Sequence, residues 1–271
     1  MTILLPEEYH ARRWLESHRI SCITQDDGRH QDIRALRIGI VDLAPEVPDT
    51  VVHCFQGLGR SILHVEPVFV DVGLGNAFPE LPSRAWDEAN ARKALDGLLV
   101  CGKTKAGEAY ASPEEVPAWE TVSGVLAKAR TGVVGTLGID LGGVAVAHAL
   151  GLRTACRKEP VDGVFRSYGI NRAHPICGDL DDAFDCPQRR LFHIDESVLR
   201  YHEQRGHLSL LADSDVGGFF VFGTPDYRMI AHLGDPLAEA REYGCEENTW
   251  RSHRNEIFTS WIKYLYLAND Y

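Results

Sequence analysis

The sequence lacks the features by which membrane, secreted and nucleic-acid-binding proteins are usually recognised. No apolar run reaches the roughly 18 residues that a membrane-spanning helix needs. No block of five like charges occurs, and the net charge of −11 is opposite in sign to a surface that binds phosphate. The first residues show neither the basic start nor the long apolar stretch of a secretory signal. We therefore expect a cytoplasmic protein with no membrane and no nucleic-acid partner.

Cysteine and histidine motifs are also missing. The seven cysteines are scattered and odd in number, with no C-x-x-C pair. This pattern is typical of reduced thiols and argues against a disulfide framework or a zinc site. The 12 histidines show no metal-ligand spacing such as H-E-x-x-H. The sequence therefore predicts no metal and no bound cofactor.

The chain that remains has the composition of an ordinary globular protein. Its 271 residues are 44% hydrophobic and 25% charged, and no internal repeat or low-complexity linker divides them. We predict a single domain over residues 1–271. Strand-like runs alternate with helical patterns, which is typical of an α/β fold with a parallel sheet. The predicted strands are residues 36–43, 63–72, 97–101, 133–139 and 218–222.

Helical periodicity fills much of the space between these strands. The predicted helices are residues 6–18, 83–95, 113–130, 142–150 and 248–267. Residues 163–195 instead mix glycine, proline, aspartate and cysteine with short apolar pieces, and are predicted as irregular strands and loops. In a doubly wound sheet such a segment usually lies over the carboxyl ends of the strands, where ligands bind.

Residues 131–152 form the most informative local stretch. An apolar strand ends at Ile139, a turn containing Gly142 and Gly143 follows, and a helical pattern begins. This sequence predicts a nucleophile elbow, in which one side chain is held above the sheet beside free backbone amides. The residue at its tip is Asp140, and the start of a helix favours the charged form of that side chain. The alternative is that Asp140 only caps the helix.

A second carboxylate, Asp226, follows the predicted strand at residues 218–222. A turn after a buried parallel strand is expected at the same edge of the sheet as the elbow. Asp226 is therefore a candidate partner of Asp140, and two carboxylates in one cleft would push their pKa values apart; a solvated turn aspartate is the alternative. Cys101 and His232 are further candidates for a reactive thiol and a base. The alternative for Cys101 is that it is a small buried hydrophobic residue.

A series of short motifs runs in order along the chain. The clearest are HQDIRAL at residues 30–36, DGLLVCG at 96–102, PAWE at 117–120, GVF at 163–165, DDAFDCPQRR at 181–190 and WRSH at 250–253. Over about residues 1–268 they resemble the HQDIRPL, FDGLIITG, YWEE, GVF, DDxFxxPHSR and WRxH motifs of homoserine O-acyltransferases. These are the succinyl- and acetyltransferases of methionine biosynthesis.

The resemblance implies a flavodoxin-like, doubly wound parallel sheet similar to class I glutamine amidotransferases. It also implies a cytoplasmic homodimer that acts on a small, amino-acid-like substrate. Family chemistry is acyl transfer through a cysteine thioester, with a histidine base that a glutamate orients.

The positions of that catalytic triad are all changed in this sequence. The elbow cysteine becomes Asp140. The family's GHPEY motif is matched to residues 223–227, so that its histidine becomes Thr224 and its glutamate becomes Asp226, while the tyrosine is retained as Tyr227. By this match Asp140, Thr224 and Asp226 are the predicted catalytic residues, and Tyr227 is predicted to bind substrate.

Four basic residues are also predicted to bind substrate. The family's TGAP loop, which helps to form the oxyanion site and to select the acyl group, becomes CGKT and thereby gains Lys103 and, next to it, Lys105. Arg190 retains the arginine of the PHSR segment. Arg241 is the nearest match to the arginine that binds the substrate carboxylate in the family.

Three functional interpretations remain open. The favoured one is an enzyme with altered chemistry on an amino-acid-like substrate, in which Asp140 acts as a general base or holds an ammonium group. Direct acyl transfer from an acyl-CoA or a carrier, without a cysteine intermediate, is its closest variant. The second is a catalytically inactive relative that binds an amino acid or a partner protein. The third is ordinary homoserine acylation by other groups. The charged residues Lys103, Lys105 and Arg189 near the elbow favour the first, and analogy suggests a specialised pathway.

Overall fold

The computed structural model describes residues 2–9, 11–30, 34–61, 63–75, 81–105 and 107–268, so residues 31–33 of the HQDIRAL motif lie outside the described ranges. The strands are β1 (Thr2–Leu4), β2 (Ser21–Ile23), β3 (Leu36–Asp42), β4 (His64–Phe69), β5 (Gly97–Cys101), β6 (Gly135–Ile139), β7 (Ala155–Gly169), β8 (Ala183–His193), β9 (Ser209–Ser214), β10 (Gly218–Gly223) and β11 (Met229–His232). The α-helices are α1 (Arg12–Ser17), α2 (Gln25–Arg29), α3 (Pro48–Leu58), α4 (Trp86–Ala89), α5 (Trp119–Gly132), α6 (Leu141–Ala149), α7 (Glu196–Gln204) and α8 (Arg251–Ala268). Two 3₁₀ helices cover Pro113–Glu115 and Ala240–Tyr243. None of the described helices combines the length and apolar character of a bilayer span.

The described strands form one sheet in the order β2-β1-β4-β3-β5-β6-β11-β10-β9-β7-β8. The first seven strands in this order pair in parallel, and the remaining four alternate in direction. β5 and β6 are buried at every residue, because helices cover both faces of the centre of the sheet. The predicted α/β fold with a mostly parallel central sheet is confirmed.

The direction of β10 differs from the prediction. β11 pairs in parallel with β6 and matches His232 to Ile139. β10 pairs antiparallel with β11 and matches Val221 to His232, because a short turn joins the two strands as a hairpin. β10 therefore ends at the opposite edge of the sheet from Asp140. The expectation that the turn after residues 218–222 shares the edge of the elbow is wrong.

The segment predicted to be irregular is regular in its outer parts. β7 and β8 form a long antiparallel hairpin that extends the sheet, with Ser167 opposite Phe184 and Asp162 opposite Arg189. Many of the β7 side chains are exposed, so the hairpin needs no continuous apolar run, and the sequence does not show one. The region still reaches the carboxyl edge of the sheet, through Arg189.

Three predicted helices are shorter than their patterns. Residues 6–18 contain only α1, and residues 83–95 contain only α4, after which Arg92 and Lys93 adopt positive φ angles. Residues 113–130 divide into a 3₁₀ helix and α5. Val116 is extended there, as a residue before proline usually is, and Ala118 has a φ of 51°.

Close backbone contacts fix the turn at residues 140–143, where the first turn of α6 lies between β5 and β11. A Cβ at Gly142 would lie 2.0 Å from the carbonyl oxygen of Val100, and a Cβ at Gly143 would lie 2.4 Å from that of His232. Both positions therefore require glycine. As predicted, β6 is a central parallel strand and Asp140 stands at its carboxyl end.

Candidate active site

Asp140 occupies the tip of the turn between β6 and α6. Its backbone has φ 54° and ψ −115°, a conformation that is strained for any residue with a side chain. Its N–H donates to the carbonyl oxygen of His232 at 2.8 Å, and its carbonyl oxygen accepts from the N–H of Val144 at 3.1 Å. This is the geometry of a nucleophile elbow, with a carboxyl group in the place of the nucleophile.

The Asp140 side chain is buried and faces a neighbouring loop. It is 3% exposed, and its Oδ2 accepts from the backbone N–H of Thr104 at 3.1 Å. It makes no capping hydrogen bond to α6, so capping does not account for it. Burial, and then the charge of Asp235, raise the pKa of Asp140 well above its usual value, although Lys103 and Thr104 oppose the shift. Burial therefore opposes the charged form that the helix end was expected to favour.

Lys103 joins two further carboxylates beside Asp140. Its Nζ lies 2.7 Å from Asp235 Oδ2 and 3.1 Å from Glu242 Oε2. Burial alone would lower the pKa of Lys103, but Asp235, Asp140 and Glu242 outweigh it and raise the pKa. Burial would raise the pKa of Glu242, but the charge of Lys103 and the hydrogen bonds from the Glu239 N–H and Lys103 together lower it. Lys103 is therefore a charged group bonded to two protein carboxylates. This differs from the prediction that Lys103 binds an anionic group of the substrate.

Asp235 is a site residue that the sequence motifs did not reveal. It follows β11, which is parallel to β6 and adjacent to it, so it lies at the same edge as Asp140. It is 5% exposed, and its Oδ1 is buried without a hydrogen-bond partner among the described residues. The chain contains Gly-x-Pro twice, at residues 223–225 and 234–236. The second triplet follows the parallel strand, so it is the one that places its central residue beside the elbow.

Thr224, Asp226 and Tyr227 lie at the opposite edge of the sheet. The Thr224 hydroxyl donates to Asp226 Oδ1 at 2.5 Å and accepts from the N–H of Met229 at 3.1 Å, which closes the β10–β11 turn. The Tyr227 ring packs edge-on against that of His174 at 4.7 Å. The predicted pairing of Asp226 with Asp140 is wrong, because β10 runs antiparallel to the central strands.

The other three predicted substrate-binding residues lie apart from one another. Lys105 Nζ is exposed and lies 3.4 Å from Glu46 Oε1. Arg190 is buried, donates to Gln188 Oε1 at 2.6 Å and to the Gly217 carbonyl oxygen at 2.9 Å, and has its pKa lowered to about 10, mainly by burial. Arg241 is exposed.

The neighbouring Arg189, on the other face of β8, reaches the site instead. Its Nη2 donates to the Glu242 carbonyl oxygen at 3.1 Å, and its guanidinium lies 4.7 Å from the centre of the Tyr243 ring. The Thr104 hydroxyl donates to the Arg189 carbonyl oxygen at 2.8 Å. Burial, and then Asp235, raise the pKa of the Tyr243 hydroxyl, so it is a neutral donor near the carboxylates.

The candidate replacement thiol and base are both core residues. Cys101 is fully buried, and a hydrogen bond with Cys54, followed by burial, raises the pKa of its thiol. His232 is also fully buried, and burial lowers its pKa to about 4. Its Nε2 lies 3.2 Å from Nε2 of His253. Their side-chain contacts are with Cys54, Gly234 and His253 rather than with Asp140 or Asp235.

A cleft of about 590 Å³ lies between α1, α3, the second 3₁₀ helix and the start of α8, and none of Asp140, Asp235, Lys103 and Glu242 is among its lining residues. Its lining residues include Trp14, Asp49, His53, Glu239, Arg241 and Arg251. His53 Nε2 lies 3.5 Å from Glu239 Oε1, and the Glu239 N–H donates to Glu242 Oε1 at 2.7 Å. Glu242 therefore connects the wall of the cleft to Lys103. The cleft has a size suited to a small ligand and carries charges of both signs.

The fold is that of the class I glutamine amidotransferases. The glutaminase domain of CTPS from Trypanosoma brucei superimposes with a TM-score of 0.59 at 15% identity, over 88% of this chain and 96% of its own. A glutamine amidotransferase from Thermotoga maritima gives a TM-score of 0.58 at 11% identity, over 88% and 100%. At these identities the likeness concerns the fold alone.

Sequence comparison identifies the family. The profile of homoserine O-succinyltransferase matches residues 2–246, and the chain belongs to that family. A homoserine O-acetyltransferase from Novosphingobium aromaticivorans is 29% identical over all of this chain and 98% of its own length. A homoserine O-succinyltransferase from Alteromonas mediterranea is also 29% identical, over all of this chain and 96% of its own. The resemblance predicted from the sequence motifs is confirmed.

Proposed function

We propose that this protein transfers an acyl group directly from an acyl thioester to an amino-acid-like acceptor, with a pair of carboxyl groups in place of the family's cysteine and histidine. One observation carries the proposal. Asp140 and Asp235 follow two neighbouring parallel strands, and Lys103, whose Nζ lies 2.7 Å from Asp235 Oδ2, has its pKa raised by both aspartates. Membership of the family supports acyl transfer as the reaction class.

The two carboxyl groups have different surroundings, and these assign their roles. Asp140 is buried, bonded to a backbone N–H, and has a raised pKa, so it is suited to donate a proton. Asp235 is ion-paired to Lys103 through Oδ2, which leaves Oδ1 to accept a proton. Carboxyl pairs whose environments differ in this way commonly act as acid and base. Asp140 would thus serve as the general acid, rather than as the base that its sequence position suggested.

The proposed reaction moves one proton from the acceptor to Asp235 and another from Asp140 to the leaving group. Asp235 takes the proton from the acceptor hydroxyl while that oxygen forms a bond to the thioester carbonyl carbon. The carbon–sulfur bond then breaks, and Asp140 gives its proton to the departing sulfur. The products are an ester and a free thiol, and proton exchange between the two carboxyl groups restores the starting state. The first backbone amides of α6 lack acceptors within the helix and supply a site for the oxyanion.

The proposed place of the acceptor is the cleft, whose lining residue Glu239 is hydrogen-bonded to Glu242. Arg241 and Arg251 in its lining suit a carboxylate, and Asp49 and Glu239 suit an ammonium group. This combination fits a zwitterionic amino acid, in agreement with the names of the relatives. The identity of the amino acid and of the acyl donor is to be found by incubating the protein with mixed amino acids and acyl-CoAs and detecting products by mass spectrometry.

Three matched aspartate-to-asparagine variants test the assignment. Asp140→Asn and Asp235→Asn should each lower turnover by about 100-fold or more, as the loss of a general acid or base does. Asp226→Asn makes the same chemical change at the opposite edge of the sheet. It should leave turnover within about twofold, because the antiparallel direction of β10 places Asp226 away from the site. A loss of turnover in Asp226→Asn as large as that in Asp140→Asn, with no loss in Asp235→Asn, would refute the placement of the site.

Restoring the family's residues gives a second test. The variant Asp140→Cys alone should form no acyl-enzyme, because Asp235 stands at the position from which a histidine base would act. The double variant Asp140→Cys with Asp235→His puts a base at the position that the structure identifies, and should form an acyl-cysteine with an acyl-CoA. Intact mass would detect the adduct. An adduct on the unmodified protein would contradict the proposal of a reaction without a cysteine intermediate.

A second candidate function is the binding of an amino acid without catalysis. It is favoured by the closure of the site, where Asp140 and Asp235 are almost fully buried and Lys103 is bonded to two carboxylates. This function predicts that an amino acid raises the melting temperature while no acylated product forms. The Arg241→Ala variant should then lose the thermal shift.

Four further expectations from the sequence belong to the proposal. Residues 1–271 would act as one domain, supported by the single sheet of the described residues. A homodimer in the cytoplasm, with a role in specialised amino-acid biosynthesis, completes the proposal. Light scattering coupled to size-exclusion chromatography tests the dimer, which should have twice the mass of the 30.1 kDa chain.

A further inference from the structure

Cys186 of β8, His232 of β11 and His253 of α8 bring their side chains together just behind the elbow. One ligand atom from each of the three lies within 4.8 Å of the other two, and all three residues are buried. Within the described ranges this is the one group of three or more such residues whose ligand atoms converge in this way. It is close to Asp140, whose N–H donates to the His232 carbonyl oxygen.

The tautomer of His232 is fixed by its backbone surroundings. Its Nδ1 lies 3.1 Å from the carbonyl oxygen of Gly234. Because a carbonyl oxygen only accepts, Nδ1 carries the proton and Nε2 presents a lone pair to the group. A hydrogen bond of this kind from the other ring nitrogen is the usual companion of a metal-bound histidine.

The spacing of the two histidines suits a tetrahedral ion. Nε2 of His232 and Nε2 of His253 are 3.2 Å apart. Two nitrogens bound to zinc at 2.0–2.1 Å in tetrahedral geometry lie about 3.3 Å apart. Phe184 stacks on the His253 ring at 3.9 Å, and Phe220 packs edge-on to the His232 ring at 5.3 Å. The rings are therefore held in place by packing.

The donor set determines which metal would bind. One thiolate and two imidazoles are the ligands that zinc prefers, whereas magnesium and calcium prefer oxygen ligands. We propose that Cys186, His232 and His253 form a zinc site with three protein ligands. Binding forms one zinc–sulfur and two zinc–nitrogen bonds, and the proton of the Cys186 thiol is released to solvent while the imidazoles bind as neutral groups.

The ion would join three parts of the chain that are distant in sequence. It would connect the antiparallel extension of the sheet to β11 and to the C-terminal helix. Asp235 follows His232 by three residues, so the same ion would stiffen the segment that carries this carboxylate. The site does not depend on the proposed acyl transfer, since its ligands are buried and do not face the cleft.

Metal content and cobalt spectroscopy of the full-length protein test the proposal. Protein purified after expression with added zinc should contain about one zinc per chain. Replacement by Co²⁺ should give the visible bands of a tetrahedral ion and a near-ultraviolet band from thiolate-to-cobalt charge transfer. Cys186→Ala should remove the charge-transfer band and weaken zinc binding by more than about 100-fold, since even an outer hydrogen bond to a ligand is worth up to about 100-fold.

Cys177→Ala is the matched control, because it removes another buried cysteine thiol outside the group, and it should keep the metal and the band. If Cys186→Ala fails to fold, the presence or absence of the charge-transfer band in the cobalt spectrum of the unmodified protein tests the proposal by itself. Absence of zinc together with absence of a charge-transfer band would overturn the proposal, leaving a histidine–histidine hydrogen bond in a packed core. Metal that persists unchanged in folded Cys186→Ala would overturn it as well.

Discussion

Replacing Arg254 by methionine should make the protein more stable. The Arg254 side chain lies one helical turn after Arg251, which lines the cleft, and it is completely buried. All three of its guanidinium nitrogens lack a hydrogen-bond partner among the described residues. Burial lowers its pKa to about 10, against the opposing charge of Glu239. An unpaired guanidinium in this position destabilises the folded state.

The size of the effect follows from that pKa. Its lowering from the ordinary arginine value corresponds to about 3 kcal/mol of penalty for the charged form at neutral pH. Methionine keeps most of the length of the side chain and removes the charge. We expect Arg254→Met to increase the free energy of unfolding by about 1–3 kcal/mol, within the range known for buried ionic groups replaced by apolar ones. For a chain of this length the melting temperature should rise by about 2–5 °C.

Denaturant unfolding followed by circular dichroism measures this change. Arg251→Met is the matched control, because it makes the same substitution at an exposed residue on the same helix, and it should alter stability by less than about 0.5 kcal/mol. A loss of more than about 1 kcal/mol in Arg254→Met would refute the reasoning, since it would show that the guanidinium is well paired in the folded protein.

Two further predictions concern the core and the pH dependence of stability. Gly142→Ala should lower the free energy of unfolding by about 3 kcal/mol or more, because its Cβ would lie 2.0 Å from a carbonyl oxygen. Gly124→Ala in α5, where a Cβ meets no atom within 4 Å, should raise it by about 0.5–1 kcal/mol. Thermal unfolding of the two variants measures both changes. Burial lowers the pKa of His174 to about 4, so as the pH falls the unfolded chain binds a proton at His174 before the folded protein does. Up to about 3 kcal/mol of stability that is present above pH 6.5 should therefore be lost as the pH falls to 4. Urea unfolding across that range should show a smaller loss for His174→Gln, and an equal loss would contradict the shift.

The strands of the central sheet were predictable because they are buried on both faces. Residues 97–101 coincide with β5, and residues 133–139 contain β6, since an apolar run bounded by turn residues has few other interpretations. The β7–β8 hairpin was not predictable in the same way, because its exposed face dilutes the apolar pattern. Its pairing depends on contacts between residues far apart in sequence, which local periodicity does not report.

The candidate site was predictable in part for a related reason. Asp140 could be placed because the strand, the turn and the helix around it are contiguous in sequence. Asp235 could not, since local sequence does not state whether a strand runs parallel or antiparallel to its neighbour, and Gly-x-Pro occurs after both β10 and β11. The Cys186, His232 and His253 group comes from three separate elements, so no spacing motif announces it.

The turn at Asp140 is held by main-chain contacts, and this separates the shape of the elbow from the chemistry at its tip. The glycine contacts of α6 and the bond from the Asp140 N–H to His232 involve no side-chain atom of the tip residue. Aspartate and asparagine tolerate a positive φ better than most residues. The residue at the tip can therefore differ without any change in the main-chain contacts that hold the turn. The shape of the elbow is thus independent of the side chain that it presents, so the side chain at position 140 can vary while the fold stays the same.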